Sequence, residues 1–296
     1  MAASTPKSSS LTDRQIFGSA TRQTIVRADP RDPRPWLHQG AICTLLSQHH
    51  IGHVGIMRAA PPYEVVRTEQ SGTFMLACFE GEGVVLVDGA WKKIRKGQAC
   101  LLPPFVTNAL KCLPGKIWKF AWVRYDESRE AKPIISSLSP VSAPFDPLPL
   151  KFAIEGLHSE VSGNPSSSAS HHWTELIHHY VLRFAQPTHP DDRLWRVWQK
   201  VEADLKKPWT LGDLAAIAHV SEEHLRRLCR KELGRSPMQH LTFLRLQRAR
   251  HLLATTPDKI ESIANAVGFK NMFGFSNTFK AWIGIRPSEF RKNPSS

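Results

Sequence analysis

The feature that most constrains this chain is a set of helix signals that occurs twice between Trp209 and Arg291. In the first copy, Thr210 and Asp213 have the spacing of a capping box, and apolar residues then recur on one helical face. Ser221 stands where a second helix needs its N-cap, and Gly234 stands where that helix needs a left-handed end. Two short helices joined by a tight turn are predicted, which is a helix-turn-helix unit.

The second copy runs from Ile260 to Gly284. Gly268 supplies the left-handed turn residue and Asn271 caps the following helix. Between the copies, Ser236–Pro237 begins a connecting helix of about 19 residues, which at 1.5 Å per residue is roughly 28 Å long. Two reading helices on one face of a duplex need about 34 Å between them, so the connector has a suitable length.

At these residues the chain resembles the DNA-binding domain of the AraC/XylS family of bacterial transcription regulators. The matched positions span both units and the connector: Trp209, Leu214, Ala215, Ser221, His224, Leu225, Arg227, Leu228, Gly234, Ser236, Pro237, Arg245, Ala249, Leu252, Leu253, Ile260, Ile263, Ala264, Gly268, Phe269, Phe275, Ser276, Phe279, Lys280, Gly284, Pro287, Ser288, Phe290 and Arg291. Three positions depart from the family pattern. His219 replaces a usual glycine and predicts a non-glycine left-handed residue, Cys229 replaces an aromatic, and Asn277 replaces an arginine.

The resemblance implies that helices beginning at Ser221 and Asn271 enter successive major grooves. Arg226 and Arg227 are the best candidates for guanine or phosphate contacts, whereas Glu223 either accepts from a cytosine amine or stabilises its helix N-terminus. The predicted DNA-contacting residues are Ser221, Glu223, Arg226, Arg227, Arg230, Lys270, Asn271, Met272, Phe273, Ser276, Asn277 and Lys280. Met272 and Phe273 suggest contacts to thymine methyls, and the two lysines suit phosphates.

Charge supports a nucleic-acid partner. The formal net charge is +13, and residues 191–296 hold 19 Lys and Arg against 11 Asp and Glu. A basic excess in this part of the chain is the electrostatic footprint that binding to phosphates requires.

No apolar run is long enough to cross a membrane and the first ten residues lack a secretory core, so we expect a cytoplasmic, nucleoid-associated protein. The five scattered cysteines predict reduced thiols; a redox pair of Cys100 and Cys112 is the alternative.

The amino-terminal part predicts a different architecture. Residues 1–35 are rich in Ser, Thr, Pro and Arg and are interpreted as a mobile tail. Residues 36–130 contain short apolar runs separated by turns such as Asp88–Gly89, which is typical of a β-barrel or jelly roll. The fold class expected is therefore α+β, with two domains joined by a helical linker over residues 131–190 and a DNA-binding domain over residues 191–296.

The β region resembles, more loosely, the cupin-like effector domain of sugar-responsive members of the same family. The matching pieces are 80–83, 88–89, 96–98, 102–104 and 118–122. The resemblance implies a small-molecule effector, such as a sugar, inside the barrel. Its predicted contacts are Trp118, Phe120 and Trp122, with Arg67 and Asn108 as polar partners; plain core packing is the alternative for the three aromatics. No cofactor or metal is expected, and His49, His50 and His53 are interpreted as surface or loop histidines.

In the linker, residues 149–161 and 172–185 are predicted helices. The second has an apolar stripe at helical spacing, formed by Trp173, Leu176, Ile177, Tyr180, Val181 and Phe184. In the family this region carries the dimer contact, so the stripe either pairs protomers or packs on its own barrel. Four histidines elsewhere on this helix are interpreted as a solvated face rather than a metal cluster.

The sequence thus predicts a non-enzymatic, homodimeric regulator that binds double-stranded operator DNA, responds to a small effector, and has RNA polymerase as a further partner. Two alternatives stay open. One is a ligand-independent regulator whose barrel only dimerises, and the other is a cupin enzyme tethered to DNA.

Overall fold

A computed structural model describes residues 14–67, 71–88, 90–104, 107–127, 134–186 and 191–292. Its amino-terminal part is a curled sheet, here called the half-barrel. The strands are β1 (Arg14–Phe17), β2 (Arg22–Arg27), β3 (Ala41–Ile42), β4 (Ile51–Ala59), β5 (Tyr63–Arg67), β6 (Phe74–Val87), β7 (Ala90–Arg95), β8 (Gln98–Leu102), β9 (Asn108–Cys112), β10 (Trp118–Tyr125) and β11 (Ser142–Pro144). Short 3₁₀ helices cover Pro35–Leu37 and Thr44–His49.

The long strand β6 makes the sheet curl. Its first part pairs with β8 and β10, and its last part pairs with β7 and β9. Gly81 lies at the change of partner with a φ of 73°, and a Cβ there would come within 2.0 Å of the Ile117 carbonyl oxygen. Only glycine fits such a bend. The main path through the sheet runs β1-β5-β9-β6-β10-β4-β2-β3.

Alternation along the strands separates two cores. On β10, Trp118, Phe120 and Trp122 point to the interior of the half-barrel, as predicted, whereas Ala121 and Val123 face outward. Helices α1 (Leu148–Ser162) and α2 (Ser167–Ala185) cover that outward face.

Seven helices form the carboxy-terminal part: α3 (Asp192–Ala203), α4 (Leu211–Ala218), α5 (Glu222–Leu233), α6 (Pro237–Thr255), α7 (Ile260–Ala266), α8 (Met272–Ile283) and α9 (Pro287–Lys292). The connecting helix α6 joins two small cores. Leu241 and Leu244 pack with α4 and α5, whereas Leu246 and Leu253 pack with α7 and α8. The α+β class and the two helix-turn-helix units are confirmed, and α6 has the predicted 19 residues.

The interpretation of residues 1–35 as a mobile tail is wrong for residues 14–35. β1 pairs with β5 and β2 pairs with β4, so these residues complete the half-barrel. Exposed polar side chains on both strands conceal their pairing in the sequence. Residues 1–13 lie outside the described residues. The boundary at residue 130 also shifts, because β11 pairs with β8 from within the predicted linker.

The apolar stripe of α2 packs inside its own chain. Ile177, Val181 and Phe184 are buried against α1 and the half-barrel, and Trp173 and Tyr180 pack partly buried on the same core. Leu176 is the exposed member. The predicted dimer contact is therefore wrong for the three buried side chains, because a partner protomer cannot reach a face that α1 and the sheet already cover. For Trp173, Leu176 and Tyr180 it stays a prediction. Among the described helices, none is long and apolar enough to span a bilayer.

Candidate nucleic-acid interface and effector cavity

The first helix-turn-helix unit is built by local capping. The Thr210 hydroxyl accepts from the Asp213 amide at 3.1 Å, and the Asp213 carboxylate accepts from the Thr210 amide at 2.8 Å, which completes the predicted capping box. His219 takes the left-handed conformation with a φ of 54°, as its position predicted. The Ser221 hydroxyl then accepts from the His224 amide at 3.2 Å and starts the reading helix α5.

The second unit repeats this arrangement. Gly268 has a φ of 87°, and the Asn271 side chain accepts from the Gly274 amide at 2.7 Å to start the reading helix α8. A Cβ on Gly268 would lie 2.4 Å from the Leu205 carbonyl oxygen. Arg245 on α6 donates to that same oxygen at 3.0 Å. The turn of the second unit therefore packs against the loop that leads into the first unit.

The predicted contact residues of α5 extend from its first turn to its last. Arg226 lies 3.4 Å from Glu222 and 3.3 Å from Glu223, so these carboxylates hold its guanidinium in the free protein. Arg227 is exposed and approaches the His224 ring nitrogen at 3.1 Å, and Arg230 is exposed one turn further on. Of the two arginines favoured from the sequence, Arg226 is held in ion pairs, whereas Arg227 is exposed beside a histidine.

The start of α8 has a different character. Met272 is 50% exposed and Phe273 is 76% exposed, so two large apolar side chains face solvent at the tip of a reading helix. Lys270, Asn277 and Lys280 are exposed around them, and Ser276 is half-buried. Exposed apolar groups of this size mark a contact surface. They suit thymine methyls, whereas the lysines suit phosphates.

The opposite ends of both reading helices touch the half-barrel. The Leu233 carbonyl at the end of α5 accepts from the Val141 amide at 3.0 Å. The Ile283 carbonyl at the end of α8 accepts from the Thr107 hydroxyl at 2.8 Å and from the Thr107 amide at 3.3 Å. The half-barrel therefore satisfies a carbonyl at the C-terminus of each reading helix.

A buried ion pair reinforces this contact. Arg235, just after α5, donates to Asp88 at 2.8 and 3.0 Å, and the two side chains are only 3% and 8% exposed. Lys92 donates to the Gly234 carbonyl at 2.9 Å. Asp88 has a φ of 54° at the predicted hairpin turn, whereas Gly89 lies outside the described residues. Sequence reasoning missed this interface, because residues that meet across domains leave no local pattern.

The interior of the half-barrel holds a narrow cavity of about 20 Å³. Of the predicted effector contacts, Arg67, Phe120 and Trp122 line it. Trp118 does not: its indole donates to the Cys78 sulfur at 3.3 Å within the core. Asn108 is buried opposite Arg67 on the neighbouring strand and also lies outside the lining.

The other cavity walls were missed in the sequence. Phe17 and Tyr63 stack at 5.4 Å, and Gln23 and Trp36 complete the side nearest the chain start. Phe17 and Gln23 belong to strands that composition had assigned to a tail. His53 is not a surface histidine but is 1% exposed inside the half-barrel.

The described cysteine and histidine side chains are assigned no redox or metal-binding role. Burial raises the pKa of the Cys100 thiol to about 12 and that of Cys112 to about 11, so neither is a ready thiolate. Across the described ranges, no three His, Cys, Asp or Glu side chains gather closely enough to hold a metal ion.

Two helix-turn-helix units on one connector, each with an exposed reading helix, define a double helix-turn-helix DNA-binding module. Residues 214–293 match the family model described as "Helix-turn-helix domain". The raffinose operon transcriptional regulatory protein of Pediococcus pentosaceus is 39% identical over 84 residues, which are 28% of this chain and 30% of that protein. The chain spans less than half the length of this relative and of two further curated relatives, covering 30%, 41% and 34% of them.

The chain is also similar to solved structures. A transcriptional regulator with an AraC-type DNA-binding domain from Chromobacterium violaceum is 33% identical and covers 36% of this chain and 94% of its own, with a TM-score of 0.34. ToxT from Vibrio cholerae O395 is 15% identical and covers 84% and 99%, with a TM-score of 0.42. The chain carries the DNA-binding domain of an AraC-type transcription regulator, and the predicted resemblance is confirmed for this domain.

Proposed function

We propose that the whole protein is a sequence-specific transcription regulator whose half-barrel sets the relative placement of its two reading helices. The observation that carries the proposal is the pair of contacts at Leu233 and Ile283. The half-barrel contacts the C-terminal ends of both α5 and α8, while their N-terminal ends stay exposed. A small effector in the cavity that favours one shape of the half-barrel would then favour one placement of the reading helices.

The regulator is proposed to act on double-stranded DNA in the bacterial cytoplasm, as a homodimer and without an enzymatic step. Dimerisation is proposed to use a surface other than the packed stripe of α2. An interaction with RNA polymerase is proposed as well, since it is expected for regulators of this kind.

The test is a selection of bound sequences from random duplex DNA with the full chain. It is repeated with Arg227→Ala on α5 and Asn277→Ala on α8, and Arg196→Ala, outside both reading helices, is the control. Each reading-helix variant should lose preference at its own group of base pairs, with the two groups about one helical turn apart. Loss at the same positions in both variants, or no selected sequence at all, would contradict the proposal.

A further inference from the structure

Both ring nitrogens of His224, in the first turn of α5, face an arginine. Arg227 Nη2, on the same helix, lies 3.1 Å from His224 Nδ1, and Arg193 Nη1, on α3, lies 3.3 Å from His224 Nε2. A neutral imidazole accepts at one ring nitrogen and carries its proton on the other. Only one of the two arginines therefore donates to His224 at a time.

Arg193 is the arginine whose direction is fixed. Its Nε and Nη2 groups donate to the two oxygens of the Asp191 carboxylate, at 3.0 and 2.7 Å. The same carboxylate caps α3 by accepting from the Arg193 backbone amide at 2.9 Å. The side-chain hydrogen bond with Arg193 lowers the pKa of Asp191, so the carboxylate stays ionised at neutral pH. Two sides of the guanidinium are thus held by Asp191, and Nη1 is left for His224.

The helix that carries Arg193 is itself fixed against the reading helix. Leu194 and Trp198 of α3 are buried in the same core as Leu225 of α5. The Arg193 guanidinium turns away from α5 only by breaking charge-assisted hydrogen bonds to the capping carboxylate. Arg227, by contrast, is exposed on the surface of α5.

The competition at His224 decides where the Arg227 guanidinium lies. When Nε2 accepts from Arg193, the ring proton is on Nδ1, and a donor then faces the Arg227 guanidinium and turns it outward. When Nε2 carries the proton, Nδ1 accepts from Arg227 and holds the guanidinium against its own helix. The first arrangement presents Arg227 to a ligand outside α5, and the second does not.

We propose that Arg193 is a positioning residue for the DNA contact of Arg227, acting through the ring of His224. Arg193 does not touch the duplex. It takes the lone pair of His224, so that Arg227 is free to donate to a guanine edge or a phosphate. Because α3 lies outside both helix-turn-helix units, a helix beyond the motif contributes to reading the duplex. This inference rests on the proposed function, since it needs a duplex bound at α5.

The affinity of the full chain for its selected duplex, measured by fluorescence anisotropy, tests this role. The buffer is at about pH 8, where an unperturbed imidazole is neutral. Arg193→Met should weaken binding about fivefold in the original chain, because residues in one hydrogen-bond network are energetically coupled. In the Arg227→Ala chain the same change should have no further effect. Equal weakening in both chains, or none in the original chain, would overturn the inference.

Arg196→Met is the matched control. Arg196 is an exposed arginine on the same helix, and its Nε donates to the Asp192 carbonyl at 3.3 Å. Both variants lose one positive charge, so their affinities should depend equally on salt. A salt slope lower by about one in Arg193→Met than in the control would mean that Arg193 contacts a phosphate directly, against the positioning role. Circular dichroism checks the fold of each variant.

Nitrogen NMR of the His224 ring gives a second readout, which a merely structural role of Arg193 would not move. In the complex of the original chain with its selected duplex, the ring proton should be on Nδ1, and in Arg193→Met it should move to Nε2. His224→Gln identifies the signal by its disappearance. A proton on Nε2 in the original complex would contradict the inference, whether or not Arg193→Met folds.

The readouts separate this inference from the proposed function. A full chain that selects no sequence contradicts the proposed function. A chain that selects a sequence and depends on Arg227, yet binds equally well after Arg193→Met, supports the proposed function and contradicts the positioning role.

Discussion

Arg235 joins the DNA-binding domain to the half-barrel through a buried ion pair. Its guanidinium is buried, paired with Asp88 and stacked 4.0 Å from the Phe243 ring centre. Removing one member of a buried pair leaves the other charge without compensation, which costs about 3–5 kcal/mol. Arg235→Gln should lower the free energy of unfolding by that amount.

Urea denaturation of the full chain measures this change. Arg31→Gln is the control, because Arg31 makes the same type of pair with Asp29 at an exposed position. The control should lose less than about 1 kcal/mol. Equal losses in both variants would mean that the buried pair contributes nothing special to stability.

His240 predicts a pH dependence of stability. Burial, with a contribution from Arg235, lowers the pKa of His240 to about 3, whereas its pKa in the unfolded chain is about 6.5. Between these values the unfolded state binds a proton that the folded state does not. Stability should therefore fall as the pH drops from about 6.5 towards 3, by about 1.4 kcal/mol per pH unit for this group.

His240→Gln removes that titration and keeps a donor for the Ser137 carbonyl, which His240 Nε2 contacts. The unfolding free energy, measured in urea between pH 4 and 6, should depend less steeply on pH. The decrease in slope should correspond to about one bound proton. His178 contributes a slope of the same sign, since burial lowers its pKa to about 4. An unchanged slope in His240→Gln would show that this side chain is hydrated in the folded state.

At the scale of single elements, the two reading helices should bind DNA by different physics. α5 presents arginines, whereas α8 presents Met272 and Phe273. Phe273→Ala should weaken specific binding by about 1–3 kcal/mol and leave the dependence of log K on log salt unchanged, because no charge is removed. Lys280→Gln should weaken binding to all sequences and reduce the salt slope by about one.

Fluorescence anisotropy at four salt concentrations, with a selected duplex and a scrambled one, distinguishes these effects. A change of salt slope in Phe273→Ala would place that side chain in packing that orients lysines rather than at a base. A Lys280→Gln variant that loses affinity for the selected duplex alone would place this lysine at a base edge.

At the scale of the whole molecule, contacts at the ends of α5 and α8 should restrict which half-site spacings the protein accepts. Thr107→Val combined with Lys92→Met removes hydrogen bonds to the Ile283 and Gly234 carbonyls. Each bond contributes about 0.5–1.5 kcal/mol, so the preference of the protein for one half-site spacing over the others should fall several-fold. This preference is measured as the affinity for duplexes with half-sites 9 to 12 base pairs apart.

Thr21→Val is the matched control for this experiment. The Thr21 hydroxyl donates to the Ala60 carbonyl at 3.1 Å, a bond of the same kind that lies wholly within the half-barrel. Its removal should leave the spacing profile unchanged. Equal broadening in control and double variant would indicate a general loss of rigidity instead of a specific positioning role.

How far the sequence predicted the molecule depended on the range of the interactions involved. The cap at Ser221, the proline start at Pro237 and the left-handed His219 each act within a few residues, so the helices between Trp209 and Gly284 were predicted closely. β1 and β2 were missed. Their polar side chains look like a tail until β4 and β5 provide the pairing.

The amino-acid sequence by itself determined the two helix-turn-helix units, because caps, turn residues and apolar spacing are local and need no partner elsewhere. The tertiary structure alone decided the rest. The α2 stripe packs inward, His53 lies in a cationic interior, and Arg235 meets Asp88 across 147 positions of the chain. The physical reason is that burial and charge pairing arise between segments that approach one another only when the chain folds, and no periodicity in either segment records the approach.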